Sequence, residues 1–500
     1  MRQLILEPPF AMQREVLYIV KYKMHIIHIV VMLETEMIQM DKNECPFGIK
    51  DKVGYMFGDL GNDFTFILST MILMKFYSDV MGISVGVVGA MMMLARIVDA
   101  FTDVAMGQIV DRSRSTKAGK FKPWILRMCI PVALSSLLMY SHWIENSTMV
   151  FKTIWMISTY LLWGSIFYTS INIPYGSMAS AISADPTDRA QLSNWRTIGA
   201  SLAGTAIGVG LPLLVFVSDE IGNKVLSGKR VSLVALFSSV FAVICYLLCY
   251  KLVSERVHIK QKTDSFDLKK LLSGVFHNKA LLGIIAASVC MLVVQLSTQQ
   301  MASYVYPNYF RNTVAQSASG LVGVIITLIM AAFTVKLSKR LGRKELAIIA
   351  SLFGGSVFLI VFLIQTKNVW IYLALYALSY VGLAVFGLIT WAMLTDVIDD
   401  TEVNSGERSD GTIYAVYSFS RKLGQAISSG LAGVLLTLIG YSTQTQFDPS
   451  VTKGIYNLSC LIPALGYLLL AIILKFYYPL NKQRVEYNAM VLQKKRTISE

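Results

Sequence analysis

The stretch Leu94-Ala95-Arg96-Ile97-Val98-Asp99-Ala100-Phe101-Thr102-Asp103 lies inside an otherwise apolar run, Ile83 to Val110, long enough to cross a bilayer as one helix. On a helix Arg96, Asp99 and Asp103 fall at i, i+3 and i+7 and share one stripe. An ionisable side chain at mid-bilayer costs about 2.5–3.5 kcal/mol even on insertion scales. Two carboxylates one turn apart add mutual repulsion. The stripe must therefore face a polar cavity within a bundle, where a bound cation or a shared proton would relieve it. Asp99 and Asp103 are thus candidate cation ligands, and metal ligands if the ion is Na+. The plainer reading is an internal salt bridge in which Arg96 locks one acid, but one arginine cannot neutralise both.

Working outward, the whole chain has the same character. Of its 500 residues 54% are hydrophobic and only 15% charged, and the mean hydropathy is +0.55. A soluble protein would carry nearer a quarter charged residues. Repeated apolar runs of about 20 residues imply an all-α polytopic membrane protein in contact with the lipid bilayer. The formal charge of +14 does not point to nucleic acid, because Lys and Arg collect in short loops between apolar runs, as orientation signals do. The six cysteines show no zinc spacing and no C-x-x-C.

Twelve helices can be counted. The first runs from about Tyr55 to Tyr77, the second is the opening stretch, and the third and fourth are about Trp124–Trp143 and Phe151–Tyr175. The fifth and sixth are about Thr197–Val217 and Val231–Leu252. A polar segment from Ser254 to Lys279 separates them from a second set, about Ala280–Tyr304, Ser319–Val335, Leu346–Leu363, Trp370–Leu394, Thr412–Ile439 and Ile455–Phe476. A basic turn follows the second helix of each set, Asp111–Pro123 and Lys336–Lys344, and places those loops and both termini in the cytoplasm. Six plus six helices with this symmetry are the layout of the major facilitator fold. The expected division is an N-terminal bundle over 40–253, a cytoplasmic linker over 254–279, a C-terminal bundle over 280–478 and a cytoplasmic tail over 479–500. Residues 1–39 read as an extension foreign to this plan, with Met40 the expected start.

Other polar residues stand where apolar ones belong. Asp59 and Asp63 lie in the first helix, Asn172 in the fourth, and Arg421 with Lys422 in the eleventh. Arg421 is expected to reach back to the cytoplasmic interface. Lys422, if it points inward, becomes the positive partner of the acids on the second helix. Tyr55, Tyr168, Tyr304 and Trp391 could stack on a sugar ring, although packing is the commoner use of such residues.

An ordered set of stretches carries a resemblance. Gly58-Asp59-Leu60-Gly61-Asn62-Asp63-Phe64, Phe76-Tyr77-Ser78-Asp79-Val80, Ala95 to Asp103, and Gly119-Lys120-Phe121-Lys122-Pro123-Trp124 come first. Then follow Asn172-Ile173-Pro174-Tyr175, Arg189-Ala190-Gln191-Leu192, Ala392 to Asp400, Gly406 to Gly411 and Arg421-Lys422-Leu423-Gly424-Gln425-Ala426. Together they resemble the glycoside–pentoside–hexuronide:cation symporters, the sugar carriers that include the melibiose permease.

The resemblance implies cation-coupled sugar transport in a bacterial inner membrane, with no cofactor beyond co-transported Na+ or H+ and a functional monomer. It implies cation ligands at Asp99, Asp103 and Thr169, a sugar contact at Asp63 and a coupling role for Lys422; Asp59 and Asn172 are further candidate sugar contacts, and Arg96 and Arg189 further candidates for coupling or gating. Asn172 stands where the melibiose carrier has a second sugar-binding acid; an amide still donates and accepts, but an α-galactoside preference no longer follows. The alternatives are an uncoupled facilitator of lipid or another solute, a membrane-embedded transferase, and a receptor that binds sugar without moving it. The transferase would need a loop acid pair beside a phosphate cradle, and Asp396, Asp399 and Asp400, with Glu402, Glu407 and Arg408, read instead as a cytoplasmic gate or solvated loop.

Overall fold

The computed structural model describes residues 46–257, 278–405 and 410–499. The N-terminal extension and the Met40 start, most of the linker, and Glu407 with Arg408 lie outside the described residues.

The chain is a succession of long helices: α1 (Ile49–Lys75), α2 (Val85–Arg112), α3 (Lys122–Leu138), α4 (Met149–Ile182), α5 (Pro186–Val215), α6 (Gly228–Leu252), α7 (Lys279–Tyr309), α8 (Thr313–Leu341), α9 (Arg343–Ile364), α10 (Val369–Ser405), α11 (Asp410–Leu438), α12 (Pro449–Phe476) and α13 (Lys482–Ser499). Among the described residues nine of these, α2, α4 to α10 and α12, are long and apolar enough to cross a membrane. Of the others before the tail helix, α3 has 17 residues, while α1 and α11 carry internal charges. A short antiparallel hairpin, β1 (Phe216–Ser218) and β2 (Lys224–Leu226), joins α5 to α6.

Helix starts follow local chemistry. Asp185 accepts a hydrogen bond from the Thr187 amide with Pro186 in the first turn, and Thr148, Ser227, Asn278 and Asn312 cap α4, α6, α7 and α8 in the same way. Leu94, Phe101 and Ile109 on α2 and Leu328 and Phe333 on α8 are exposed, as lipid-facing residues must be.

Two boundaries differ from expectation, both for the same reason. Helix α5 begins at Pro186, so Arg189 and Arg196 stand on a helix and not in a loop. Helix α10 runs on to Ser405, so Asp396 and Asp400 are helical and buried rather than part of a solvated loop. Asp396 pairs with Arg343, and Asp400 accepts from Arg484 at 3.1 Å and Asn488 at 2.8 Å, both on α13. Apolar windows end where charge begins, yet a helix continues wherever its charges find partners.

The helices before the linker and those after it meet along α2 with α11 and along α5 with α8. Both seams are lined by glycine. A Cβ on Gly89 would lie 2.7 Å from the Gly433 Cα, and one on Gly320 would lie 3.0 Å from the Gly208 carbonyl, so the backbones touch. These contacts sit at the end remote from the basic turns. There too, the Lys75 ammonium donates to Asn308 Oδ1 and to the Tyr441 hydroxyl, both at 2.9 Å, and packs 4.6 Å from the centre of the Tyr304 ring. Asn308 donates in turn to Gln446, and the Thr443 hydroxyl to the Ser78 carbonyl. This end is sealed.

At the other end the first basic turn is held from below. Glu255, just after α6, accepts from the amides of Lys120, Phe121 and Lys122 at 2.7–2.9 Å and so caps α3. Gly119 adopts φ +110°, and a Cβ there would fall 2.4 Å from the Glu255 carboxyl carbon. Arg256 makes a two-pronged contact with Asp51 of α1, at 3.1 and 2.9 Å.

Candidate functional site

Asp99 and Asp103 face α4 from α2, and α4 answers them with two hydroxyls at the same spacing. Ser165 donates to Asp99 Oδ1 at 2.5 Å, and Thr169 donates to Asp103 Oδ1 at 2.8 Å. A π-helical turn over Leu162–Tyr168 widens α4 at this point. Gly164 within it lets the chain approach, since a Cβ there would lie 3.3 Å from Asp99 Oδ1. Four hard oxygen donors, two of them anionic, therefore converge between two helices.

Each acid also has a base. Arg96 reaches Asp99 Oδ2 at 3.3 Å, with its guanidinium 4.9 Å from the Phe66 ring centre and about 6 Å from those of Tyr160 and Trp163. Buried in that cage, Arg96 is fixed. Lys422 comes from α11, in the other half of the molecule, pairs with Asp103 and donates to the Asp99 carbonyl at 3.1 Å. Its side chain and that of Asp103 remain 23% and 20% exposed, so this pair can part. The salt bridge to Arg96 is real, but it engages Asp99 alone; Asp103 is answered by a lysine on a separate body.

The expected sugar contacts separate into two kinds. Asp59 is buried and accepts from Arg196 Nε at 2.9 Å, and that guanidinium lies 5.4 Å from the Tyr175 ring centre. Asp59 is thus committed to Arg196. Asp63 is half-buried, with no hydrogen bond or ion pair among the described residues, and feels the charges of Asp59, Arg196 and Arg421. Asn172 accepts from Asn62 Nδ2 at 3.4 Å, and Asn62 Oδ1 accepts from the Tyr246 hydroxyl at 2.9 Å. Arg189 is exposed, donates to the Ala184 carbonyl at 3.3 Å, and is not brought to this cluster.

Of the aromatic candidates, Trp391 stands on a cavity wall. Tyr55 stacks on Tyr175 at 4.6 Å, Tyr168 packs on Trp163 and Phe66, and Tyr304 belongs to the sealed end. Arg421 does not behave as expected. It lines the cavity with Trp391 and Tyr417, because one residue's rotation along α11 turns it away from the face that Lys422 presents to α2.

Ser165 and Lys75 escaped sequence reading. Ser165 precedes Thr169 by one turn, the same step that separates Asp99 from Asp103, and that match was the available signal. Lys75 sits at the end of an apolar run, where a lysine normally reads as an interface anchor.

Residues 54–482 match the family described as MFS/sugar transport protein. The chain belongs to that family, the glycoside–pentoside–hexuronide:cation symporters of the major facilitator fold, and is a multi-pass membrane transporter with bacterial relatives. It is 31% identical over 450 residues to the uncharacterized symporter YjmB of Bacillus subtilis, covering 89% of this chain and 95% of that one. It is 29% identical to the glucuronide carrier protein homolog of Escherichia coli, covering 90% and 96%. A crystal structure of a D-xylose-proton symporter shares the fold at a TM-score of 0.59, with 13% identity and coverage of 86% and 97%.

Proposed function

We propose that the protein is a secondary active symporter that moves a sugar together with one monovalent cation, Na+ or H+, by alternating access. The observation that carries this is the four-oxygen cluster of Asp99, Asp103, Ser165 and Thr169, closed by a lysine from the opposite half. Cation and Lys422 compete for Asp103. When the cation wins, the ammonium is released, the contact between halves changes, and sugar binds between the halves with Asp63 and Asn172 as its polar contacts. Ion occupancy at α2 is thereby linked to the seam with α11, which is the seam that must move.

Twelve crossings in two bundles, 40–253 and 280–478, both termini cytoplasmic and a monomeric unit belong to the same proposal, with the sealed end outside and the basic turns inside. One positive charge moving down 100 mV yields about 2.3 kcal/mol. At about 1.4 kcal/mol per decade, that supports roughly forty-fold accumulation of a neutral sugar.

The test is counterflow and uphill uptake in reconstituted vesicles with a panel of glycosides, with and without sodium and across several pH values. Uptake that follows an imposed ion gradient supports symport. Downhill uptake indifferent to both ions, and unchanged by Asp99→Asn, would make the protein an uncoupled facilitator.

A further inference from the structure

The end of α8, the start of α9 and the tail helix α13 enclose, with α10, a cavity of about 520 Å3 for which symport has no use. Val335 on α8 and Leu388 and Ile389 on α10 give it an apolar wall. One to two turns further along come its cations, Lys339, Arg343 and Lys482. Both α8 and α10 run toward the basic turn, so the apolar wall lies deeper in the membrane and the cations lie at its edge.

The cations are not equally engaged. Arg343 is committed, because it pairs with Asp396 and donates to the Ala392 carbonyl at 3.1 Å. Lys482 donates to the Arg340 carbonyl at 3.1 Å and stands 3.9 Å from Glu486, a carboxylate 61% exposed and free to turn to water. Lys339 is exposed and, among the described residues, has no hydrogen bond and no ion pair. Arg343 and Asp396 cancel, while Lys339 and Lys482 exceed Glu486 by one positive charge. That excess only grows if either carboxylate takes up a proton.

Depth and exposure indicate the source of the missing anion. A dissolved ion gains nothing from an apolar wall, whereas an acyl chain does. Of the nine helices long and apolar enough to span, α8 is the least buried, and Val335 on it is exposed as lipid-facing side chains are. On α13 the apolar side chains of Tyr487 and Met490 are exposed beside the basic ones, as on a helix lying at a membrane surface. An ethanolamine head would bring its own ammonium against two lysines, so the head must be anionic overall.

We propose that this cavity binds one anionic phospholipid of the cytoplasmic leaflet. The phosphate sits between the Lys339 and Lys482 ammonium groups, and the start of an acyl chain lies along Val335, Leu388 and Ile389. The leaflet follows from the orientation adopted above; sugar symport stands or falls separately.

The test is native mass spectrometry of the delipidated full chain. It is titrated with phosphatidylglycerol, with phosphatidylethanolamine of the same acyl chains, and with sn-glycerol 3-phosphate as a soluble competitor. One phosphatidylglycerol should bind about tenfold more tightly than phosphatidylethanolamine. Lys339→Gln with Lys482→Gln should weaken it about twentyfold, at roughly fivefold per charge. Lys336→Gln with Arg340→Gln removes the same charge from the same stretch of α8 outside the cavity, and should change affinity less than twofold. Lys339→Gln alone breaks no contact and should cost about fivefold, which keeps the test open if the double variant is unstable. Val335→Trp fills the apolar wall and should also weaken phosphatidylglycerol, with every charge in place. Equal affinity for the two lipids, or equal losses in the two double variants, overturns the proposal. So does displacement by glycerol phosphate together with full binding in Val335→Trp, which would make the cavity a site for dissolved anions.

Discussion

Lys75 and Asp79, one turn apart at the end of α1, form a 2.7 Å ion pair whose side chains are only 1% and 4% exposed. Tyr441 donates to Asp79 at 2.8 Å while accepting from Lys75, so the pair joins the end of α1 to the segment after α11. Removing one partner of a buried pair costs about 3–5 kcal/mol. Lys75→Gln should therefore weaken the sealed end more than the rest of the protein. In a cysteine-free background carrying Ser303→Cys, beneath this network, a membrane-impermeant maleimide added outside should label several-fold faster. Unchanged labelling together with an unchanged melting temperature would refute the role assigned to the pair.

The two acids on α2 should be needed for accumulation more than for binding. Asp99→Asn and Asp103→Asn should each reduce uphill uptake by at least about 100-fold, while sugar exchange at equal concentrations falls far less. A variant that still concentrates sugar against its gradient would exclude that acid from coupling.

Lys422→Gln removes the competitor for Asp103. Because the pair is partly exposed, its strength is moderated by solvent. Cation binding, measured by calorimetry or by ion-induced tryptophan fluorescence, should tighten by about tenfold as sugar uptake slows. Weaker cation binding would mean that the lysine supports the ion site instead of competing for it.

Gly164→Ala places a methyl group 3.3 Å from Asp99 Oδ1. The carboxylate must shift by a few tenths of an ångström, which lengthens its contact with Ser165. Cation affinity should fall by about tenfold with little loss of thermal stability. Wild-type affinity would show that Asp99 is not a direct ligand.

Gly119→Ala meets both a left-handed φ and the Glu255 carboxylate. A strained φ alone costs about 1–3 kcal/mol. The expected result is a melting temperature several degrees lower, with the same cation affinity in the protein that remains folded.

The fold was legible because lipid imposes a simple rule, and apolar runs of bilayer length meet it visibly. Asp99 and Asp103 were legible for the inverse reason, as charges where none should be. The surroundings of Asp59 and Arg421 were not legible, because they depend on rotation about a helix axis and on a partner far along the chain. Arg196, 137 positions from Asp59, decides that Asp59 is occupied. Ser165 needed the widened turn of α4 to be seen as the counterpart of Thr169, and sequence spacing does not announce such turns.

The touching backbones at Gly89 with Gly433 and at Gly208 with Gly320 have a mechanical consequence. At these two points no side chain stands between the helices, so the halves can pivot there once the Lys75 network and the Lys422–Asp103 pair have parted. The four glycines act as a bearing, and bulk added there should slow turnover while leaving the choice of solute untouched.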